Sequence, residues 1–407
     1  MSILAFLQDN ARWLGAGMLL TFLSSFGQTF FISIFAGEIR EGFDLSHGQW
    51  GGIYTLGTTA SAIVMVWAGG LTDQFRVRSL GATILAMLML ACLFMALNPV
   101  WWLLPFIIFA LRFTGQGMAG HIAVVAMSRW FIATRGKALS IATLGYAFGE
   151  ALLPLIFVSL LAVFDWRILW ILAGVIAVAG IPVLALLLRS ERTPQSLSQS
   201  DQALGMMNRH WTRNQSFKHW LFWFMIPALL GPAAFNTAFF FHQVHFAEIK
   251  DVDHIELVAF FPFYTGISIA AMVLSGWALD KVGTARLIPF TQLPVIAAFL
   301  TFAYANGSGG LLVGFLFLGL NTGFNVTLPA AFWAEFYGTR HIGSIKAMAA
   351  AVMVLGSAIG PGLTGIGIDL GMGIEAQYVF VALFFVFSTV MMFIGIKRAR
   401  PLLPVSA

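Results

Sequence analysis

Long apolar runs, each about the 20 residues that a helix needs to cross a bilayer core, repeat along this chain with short polar interruptions. They fall near 13–36, 50–71, 79–98, 101–128, 137–163 and 167–188. After a stretch rich in Ser, Gln and Arg they resume near 219–247, 256–279, 284–305, 309–336, 342–368 and 375–396. The pattern predicts an all-α membrane protein with 12 transmembrane helices: a six-helix bundle over 1–189, a linker over 190–217 and a second six-helix bundle over 218–407. Nothing alternates with the period of a barrel strand, and in lipid each span must satisfy its own backbone, so the spans are expected to be helices.

Composition points the same way. The chain is 59% hydrophobic and 10% charged, with mean hydropathy +0.88, against about 45–50% apolar and about 25% charged for soluble domains. A net charge of +5 raises the question of nucleic acid. Placing the basic residues answers it. With a cytoplasmic N-terminus, only Arg40, Arg167 and Lys250 fall in outside loops, while seventeen others, among them Arg129, Lys137, Lys218, Lys346 and Arg398, fall inside. The positive-inside rule therefore predicts both termini in the cytoplasm, in a plasma membrane and most naturally a bacterial inner membrane. The basic excess is topological, with no aromatic-interleaved patch for nucleic acid. Cys92 is the single cysteine and sits in an apolar run, which excludes an intramolecular disulfide or a thiol metal cluster. The first residues carry no basic leader, so the first apolar segment is expected to be retained.

The two halves echo each other. "GGLTDQFRVR" begins at Gly69 and "GWALDKVGTAR" at Gly276, 207 positions on, with Asp73 matched by Asp280 and Gln74 by Lys281. "ATRGKALSIA" matches "GTRHIGSIKAMA" through Arg135 and Arg340, and "LGYAFGE" (144–150) aligns with "LGSAIGP" (355–361). Three matches in order describe a duplicated six-helix unit, the parallel repeat whose halves rock against each other around a substrate site.

These residues resemble the major facilitator superfamily. Its loop signature after the second helix is matched by Gly69, Asp73 and Arg78, and again by Gly276, Asp280, Lys281 and Gly283; the first copy carries Gln74 for the basic residue and Arg76 for the glycine. "LRFTGQG" is similar to the family's fourth-helix signature through Arg112, Gly115 and Gly117. Within the family, "SRWFIATRGKALSIATLGYAFGEALLPL" looks most like the monocarboxylate and oxalate/formate branch. The eighth span departs from that branch by lacking its Asp and Arg, and Lys346 lies too near the cytoplasmic end to be a mid-membrane ligand. The resemblance implies a cytoplasmic latch in each half, with Gly69, Asp73, Arg76, Arg78, Arg135, Gly276, Asp280, Lys281 and Arg340 as gate residues. The glycines are expected to admit a neighbouring backbone, and the acids to accept from helix N-terminal amides or pair with an arginine.

Charge in the bilayer interior costs about 2.5–3.5 kcal/mol on insertion scales, so buried charges are functional candidates. Arg112 and Glu150 lie about 11 and 13 residues into the fourth and fifth spans, near mid-membrane. Glu150 breaks the repeat, standing where the second half has Pro361. They are read as substrate or proton-coupling residues, with a permanent Arg112–Glu150 pair as the structural alternative. Gln28, His121, Asn236, Asn321 and Asn325 lie on the spans that line the family's cavity, and Tyr54, Tyr146 and Tyr264 offer hydroxyls; packing through polar side chains competes with that reading. His242 and His245, in "FFFHQVHFAEIKDVDH", are weak metal candidates.

No Walker loop and no zinc-protease pair is present, so neither ATP drive nor hydrolysis has machinery in the sequence, and neither an enzyme activity nor a cofactor is expected. The expectation is a monomeric, proton-coupled secondary transporter of a small organic anion such as a carboxylate. Efflux of amphipathic compounds, metal-ion transport and a non-transporting sensor stand as alternatives.

Overall fold

A computed structural model describes residues 3–131, 134–190 and 204–403. Eleven helices among them are long and apolar enough to cross a membrane, and a bent pair makes a twelfth span. That pair, α1, joins Phe6–Gly27 to Thr29–Phe43 with a 47° bend. In the first half follow α2 (His47–Ala68), α3 (Val77–Leu97), α4 (Trp101–Trp130), α5 (Arg135–Leu161) and α6 (Trp166–Leu187). In the second half come α7 (Trp220–Phe241), α8 (His254–Leu279), α9 (Thr284–Tyr304), α10 (Gly307–Tyr337), α11 (Ile342–Asp369) and α12 (Ile374–Leu402).

The first span differs from the expected continuous run. It starts earlier, breaks at Gln28, whose backbone is extended (φ −87°, ψ 155°), and carries on to Phe43. The sequence "SSFG" ahead of the break tightens into a 3-10 turn. Ser24 Oγ there bonds the carbonyl of Thr21 at 2.6 Å, the local competition with helix ladders that short hydroxyl side chains introduce. Opposite, α4 widens into a π-helical segment over Arg112–Ala119. A side chain at Gly27 would overlap the carbonyl of Leu111, and one at Gly115 would lie 2.6 Å from the Cα of Gly27. Broken α1 and widened α4 thus meet backbone to backbone.

The chain divides into two compact units: residues Met1–Ser198 with Phe240–His245, and Gln199–Phe239 with Phe246–Ala407. In the first unit α5 packs on α1 through Gly145 and Gly149, where added side chains would overlap Met18 and Ser25. Thr21 Oγ1 adds a 2.5 Å bond to the carbonyl of Ala142. In the second unit α11 packs on α7 through Gly356 and Gly360, against the backbones of Leu230 and Ala234. The repeated "LGYAFGE" and "LGSAIGP" are therefore a repeated helix contact, small residues four apart admitting a neighbouring helix.

Two of the three basic residues assigned to outside loops cap helix ends. Arg167 Nη1 donates to the carbonyls of Ala96 (2.9 Å) and Asn98 (2.7 Å) at the end of α3, with its guanidinium over Trp166. In the second unit Lys250, 5% exposed, donates to the carbonyl of Ala303 (3.2 Å) at the end of α9, to Asn306 Oδ1 (3.4 Å) and to Glu375. A cation at the negative end of a helix takes up carbonyls that the ladder leaves over.

Residues 191–203 of the expected linker lie outside the described residues, but its remainder is not a bare tether. Met206 and Trp211 are buried in the second unit's core beside Tyr337. Trp211 N–H bonds the carbonyl of Tyr337 (3.1 Å), and the Arg209 guanidinium lies 4.0 Å above the Trp211 ring. Burial, then Arg209, holds the His219 imidazole below its ordinary pKa, in keeping with its packing on Trp211.

Gly145→Leu and Gly360→Leu should each abolish recovery of monodisperse protein in detergent, whereas Gly52→Ala, with open space around it, should behave as wild type in size-exclusion chromatography. Lys250→Met should cost about 1–3 kcal/mol of stability, read as a lowered thermal unfolding midpoint; an unchanged midpoint would mean that the cap is ornamental.

Candidate functional site

The break in α1 organises the first unit's polar centre. Where an extended residue interrupts a helix, carbonyls ahead of it lose their intrahelical partners, and hydrocarbon offers none. Arg112 supplies one. Its Nη1 donates to the carbonyl of Gly27 (3.2 Å) and to Thr29 Oγ1 (3.3 Å), on the two sides of the break. The guanidinium is 1% exposed and lies 5.3 Å from the ring of Tyr54, whose hydroxyl is 2.5 Å from Thr29 Oγ1. Its Nε is buried with no hydrogen-bond partner.

α5 approaches the same break. Gly149 brings it against Ser25, and the next residue, Glu150, is 8% exposed. One turn earlier on α5, Tyr146 donates from its hydroxyl to Glu150 Oε1 at 3.1 Å. The Tyr146 ring meets Phe30 edge-on, with centroids 5.6 Å apart. Arg112, and on α5 Gly149 and Glu150's partner Tyr146, thus meet α1 within a few residues of half-buried Gln28, which contributes its own backbone carbonyl to Phe31 and Ile32.

His121 lies elsewhere. Its Nε2 is 3.3 Å from the carbonyl of Gly69, so it joins the α2–α3 loop and not the Arg112 group. Eight residues on, Arg129 Nη1 donates to the carbonyl of Thr72 at 2.7 Å, and Thr72 Oγ1 bonds the carbonyl of Gly69 at 2.8 Å. α4 therefore grips this loop twice. Arg129 was counted only as an inside charge in the sequence; its spacing from His121, which sets both on one side of a helix, is the signal that marks it.

The side chains of Asp73, Arg135 and Asp280 lie outside the described residues. Arg76, Arg78, Lys281 and Arg340 are exposed, Lys281 with its Nζ 4.0 Å over the Trp277 ring. The expected role of the two loop glycines needs correction. A side chain at Gly69 would meet the carbonyl of Met65 in its own helix and the His121 ring, not the backbone of a neighbouring helix, and Gly276 has nothing within 4 Å. In the second loop the indispensable glycine is Gly283, at φ 84° and ψ 154°, a conformation essentially closed to other residues. The aligned residue in the first loop, Arg76, is at φ −66° and ψ 142°, which any residue adopts.

The second unit's candidates are mostly braces. Asn321, fully buried, donates from Nδ2 to the carbonyl of Thr291 (2.9 Å), where α9 passes through a 3-10 turn. Asn325 turns back to the carbonyl of Asn321 (2.9 Å) and, with Gln292, lines a small cavity that Asn321 does not reach. Tyr264 pairs with Thr322 at 3.0 Å. Asn236 Oδ1 and Asn321 Oδ1 are buried without partners. Gln292 joins this group, 1% exposed, donating to the carbonyl of Ala228 and leaving its Oε1 unpartnered; a lone amide in the ninth apolar run was its sequence signal.

His242 and His245 meet a third imidazole. Within the first unit the His47 ring lies 6.0 Å from His242 and 4.3 Å from His245, centroid to centroid. No sequence spacing could announce His47, nearly two hundred residues away. Among the described residues no group of three or more His, Cys, Asp or Glu is arranged to hold a metal ion.

Comparison with known proteins places this architecture. A bacterial homologue of the human lysosomal transporter Spinster, solved inward-facing and unoccupied, is 15% identical with TM-score 0.74, over 98% of this chain and 99% of that one. Its occupied form gives 14% and 0.75, over 97% and 98%. A point mutant of the nucleoside transporter NupG gives 14% and 0.69, over 95% and 99%. No curated protein sequence matches the chain. At such identities the structures speak for the fold alone, but the profile of the Major Facilitator Superfamily matches residues 17–361. With twelve spans, a duplicated loop signature and a profile match over most of its length, the chain belongs to the major facilitator superfamily of membrane transporters.

Proposed function

We propose that the protein is a proton-coupled secondary transporter of a small organic anion of the carboxylate class, working by rocker-switch alternating access as a monomer, with both termini cytoplasmic in a plasma membrane. The observation that carries this reading is the buried guanidinium of Arg112, held at the break of α1 with its Nε–H unpartnered. A carboxylate is the acceptor that fits one edge of a guanidinium, and such charge-assisted bonds are the strong ones. An anion on the Nε–H edge would be shared with Nη2 and would leave Nη1 on the Gly27 carbonyl, so the substrate in this reading sits beside the bend of α1.

Glu150 is the coupling residue in this reading. A carboxyl that takes and releases a proton during transport needs partners in both states, and Tyr146 can donate to the ionised form and accept from the protonated one. Gln28 and Tyr54 complete the first unit's substrate contacts; Asn236, Asn321, Asn325 and Tyr264 are the second unit's candidates. The gate comprises Asp73, Arg76, Arg78, Arg135, Asp280, Lys281 and Arg340, with His121 and Arg129 holding the first loop in place. The monocarboxylate and oxalate/formate branch is the family context that suits an arginine-centred site.

Efflux of amphipathic compounds gains little from the phenylalanines of α7. Phe239 is closed in against Phe302 and Phe315, and Phe241 against Trp50 and Tyr54, so these rings are fully used in packing. NupG, on the same fold, is a nucleoside transporter, so nucleosides belong beside carboxylates in a ligand panel.

In a thermal-shift panel on purified protein, a carboxylate at a hundred times its Kd should stabilise the wild type by about 2.7 kcal/mol and leave Arg112→Gln unmoved, with Arg112→Lys intermediate; shifts from nucleosides or amphipathic compounds alone would sink the anion reading. In proteoliposomes, Glu150→Gln should lose proton-driven accumulation while keeping substrate exchange. A variant with the wild-type pH dependence would remove Glu150 from coupling.

A further inference from the structure

At the end of the second unit where α9 begins and α12 finishes, a cavity of about 780 Å³ opens. Its lining has two parts. Arg286, Lys397 and Arg400 supply three positive charges, and no acidic residue lines it; Pro289, Phe290 and Phe393 form an apolar wall. The two rings are 58% and 51% exposed, an apolar surface that suits hydrocarbon and not water. Phe290 is also a wall of a second groove, about 380 Å³, made by apolar residues of α8 and α10 including Leu274, Trp277, Phe324 and Leu328. A cationic pocket and an apolar groove therefore share one ring.

The local sequence builds this mouth. α12 ends in "KRARP", its last helical turn carrying Lys397 and Arg398 before Pro401 enters a 3-10 turn. α9 opens with "TARLIPF", the helical turn holding Arg286 giving way to a 3-10 turn at Pro289. Both segments are the ends of membrane spans, so the cations stand at the level of lipid head groups and the rings point the site toward acyl chains.

We infer that this site binds an anionic phospholipid, its phosphate held by Arg286, Lys397 and Arg400 and an acyl chain lying along Phe290 and Phe393. The charge selects the lipid: a zwitterionic head group would bring its ammonium against three cations. The wall selects lipid over free phosphate, which has no use for two exposed rings. This inference is independent of the transported substrate and of the coupling ion.

Native mass spectrometry of the full-length protein in detergent, titrated with phosphatidylglycerol or phosphatidylcholine of matched chains, tests it. The wild type should retain phosphatidylglycerol at least about tenfold more tightly, since each basic residue near an anionic head group adds to the attraction. R286Q/K397Q/R400Q should erase the preference, and F290A/F393A should weaken retention of both lipids. A control set of exposed basic residues outside the lining, R213Q/K218Q/R398Q, should keep it. Should the triple variant fail to fold, R286E alone serves, with the same loss expected. Equal retention by wild type and lining variants, equal loss in the control set, or displacement of the lipid by glycerol phosphate at matched concentration would each overturn the proposal.

Discussion

In hydrocarbon every backbone carbonyl must find a donor inside the protein, and this requirement shapes the first unit more than any other. α1 breaks in mid-course at Gln28 and leaves the carbonyl of Gly27 for another group to take up. A neutral donor would meet the need. The chain uses an arginine, which also reaches Thr29 across the break, lies over Tyr54 and still has Nε left over. The same guanidinium is thus a structural cap with one donor left unpartnered. The wide turn of α4 follows from the same demand, because it carries Arg112 at its start and Gly115 where the two backbones touch.

The duplication is expressed at several scales. Paired glycines four apart seat α5 on α1 and α11 on α7, and a basic residue closes the ends of α3 and α9 in turn. Departures from the symmetry concentrate in the first unit. Glu150 replaces Pro361, α1 is broken by an extended residue where α7 is one helix, and α4 carries an eight-residue π-helical segment where α10 is a single α-helix. Charge and irregular backbone occur together because freed backbone groups need strong donors, and a buried strong donor needs acceptors.

The spans, their number and the duplicated unit were legible because apolar length and sequence repetition are local properties. That Arg112 is a buried charge was legible for a similar reason: a cation in an apolar run is conspicuous. Its partners were not, since Gly27 and Thr29 are ordinary residues until the break in α1 exposes them. The contact of His121 with the Gly69 carbonyl was not legible, because membership of a cavity-lining helix says nothing about depth, and nine residues past Arg112 carry a side chain two and a half turns away. The bonds of the α10 amides were not legible because spacing fixes a shared face but not whether the amide turns to a cavity or to a backbone carbonyl. His47 beside His242 and His245, and the docking of Met206 and Trp211, are tertiary meetings with no local signature.

The loops after α2 and α8 descend from one sequence, yet at aligned positions their backbones have opposite hand, Arg76 at φ −66° and Gly283 at φ 84°. Traffic between the two copies is therefore one-way. The second loop's glycine can be written into the first, since glycine accepts either conformation, but the first loop's arginine cannot be written into the second without rebuilding the turn. Recombination between the halves, in a laboratory chimera or along a lineage, would tolerate one direction of exchange and reject the other, so a duplicated motif that reads as interchangeable carries an arrow.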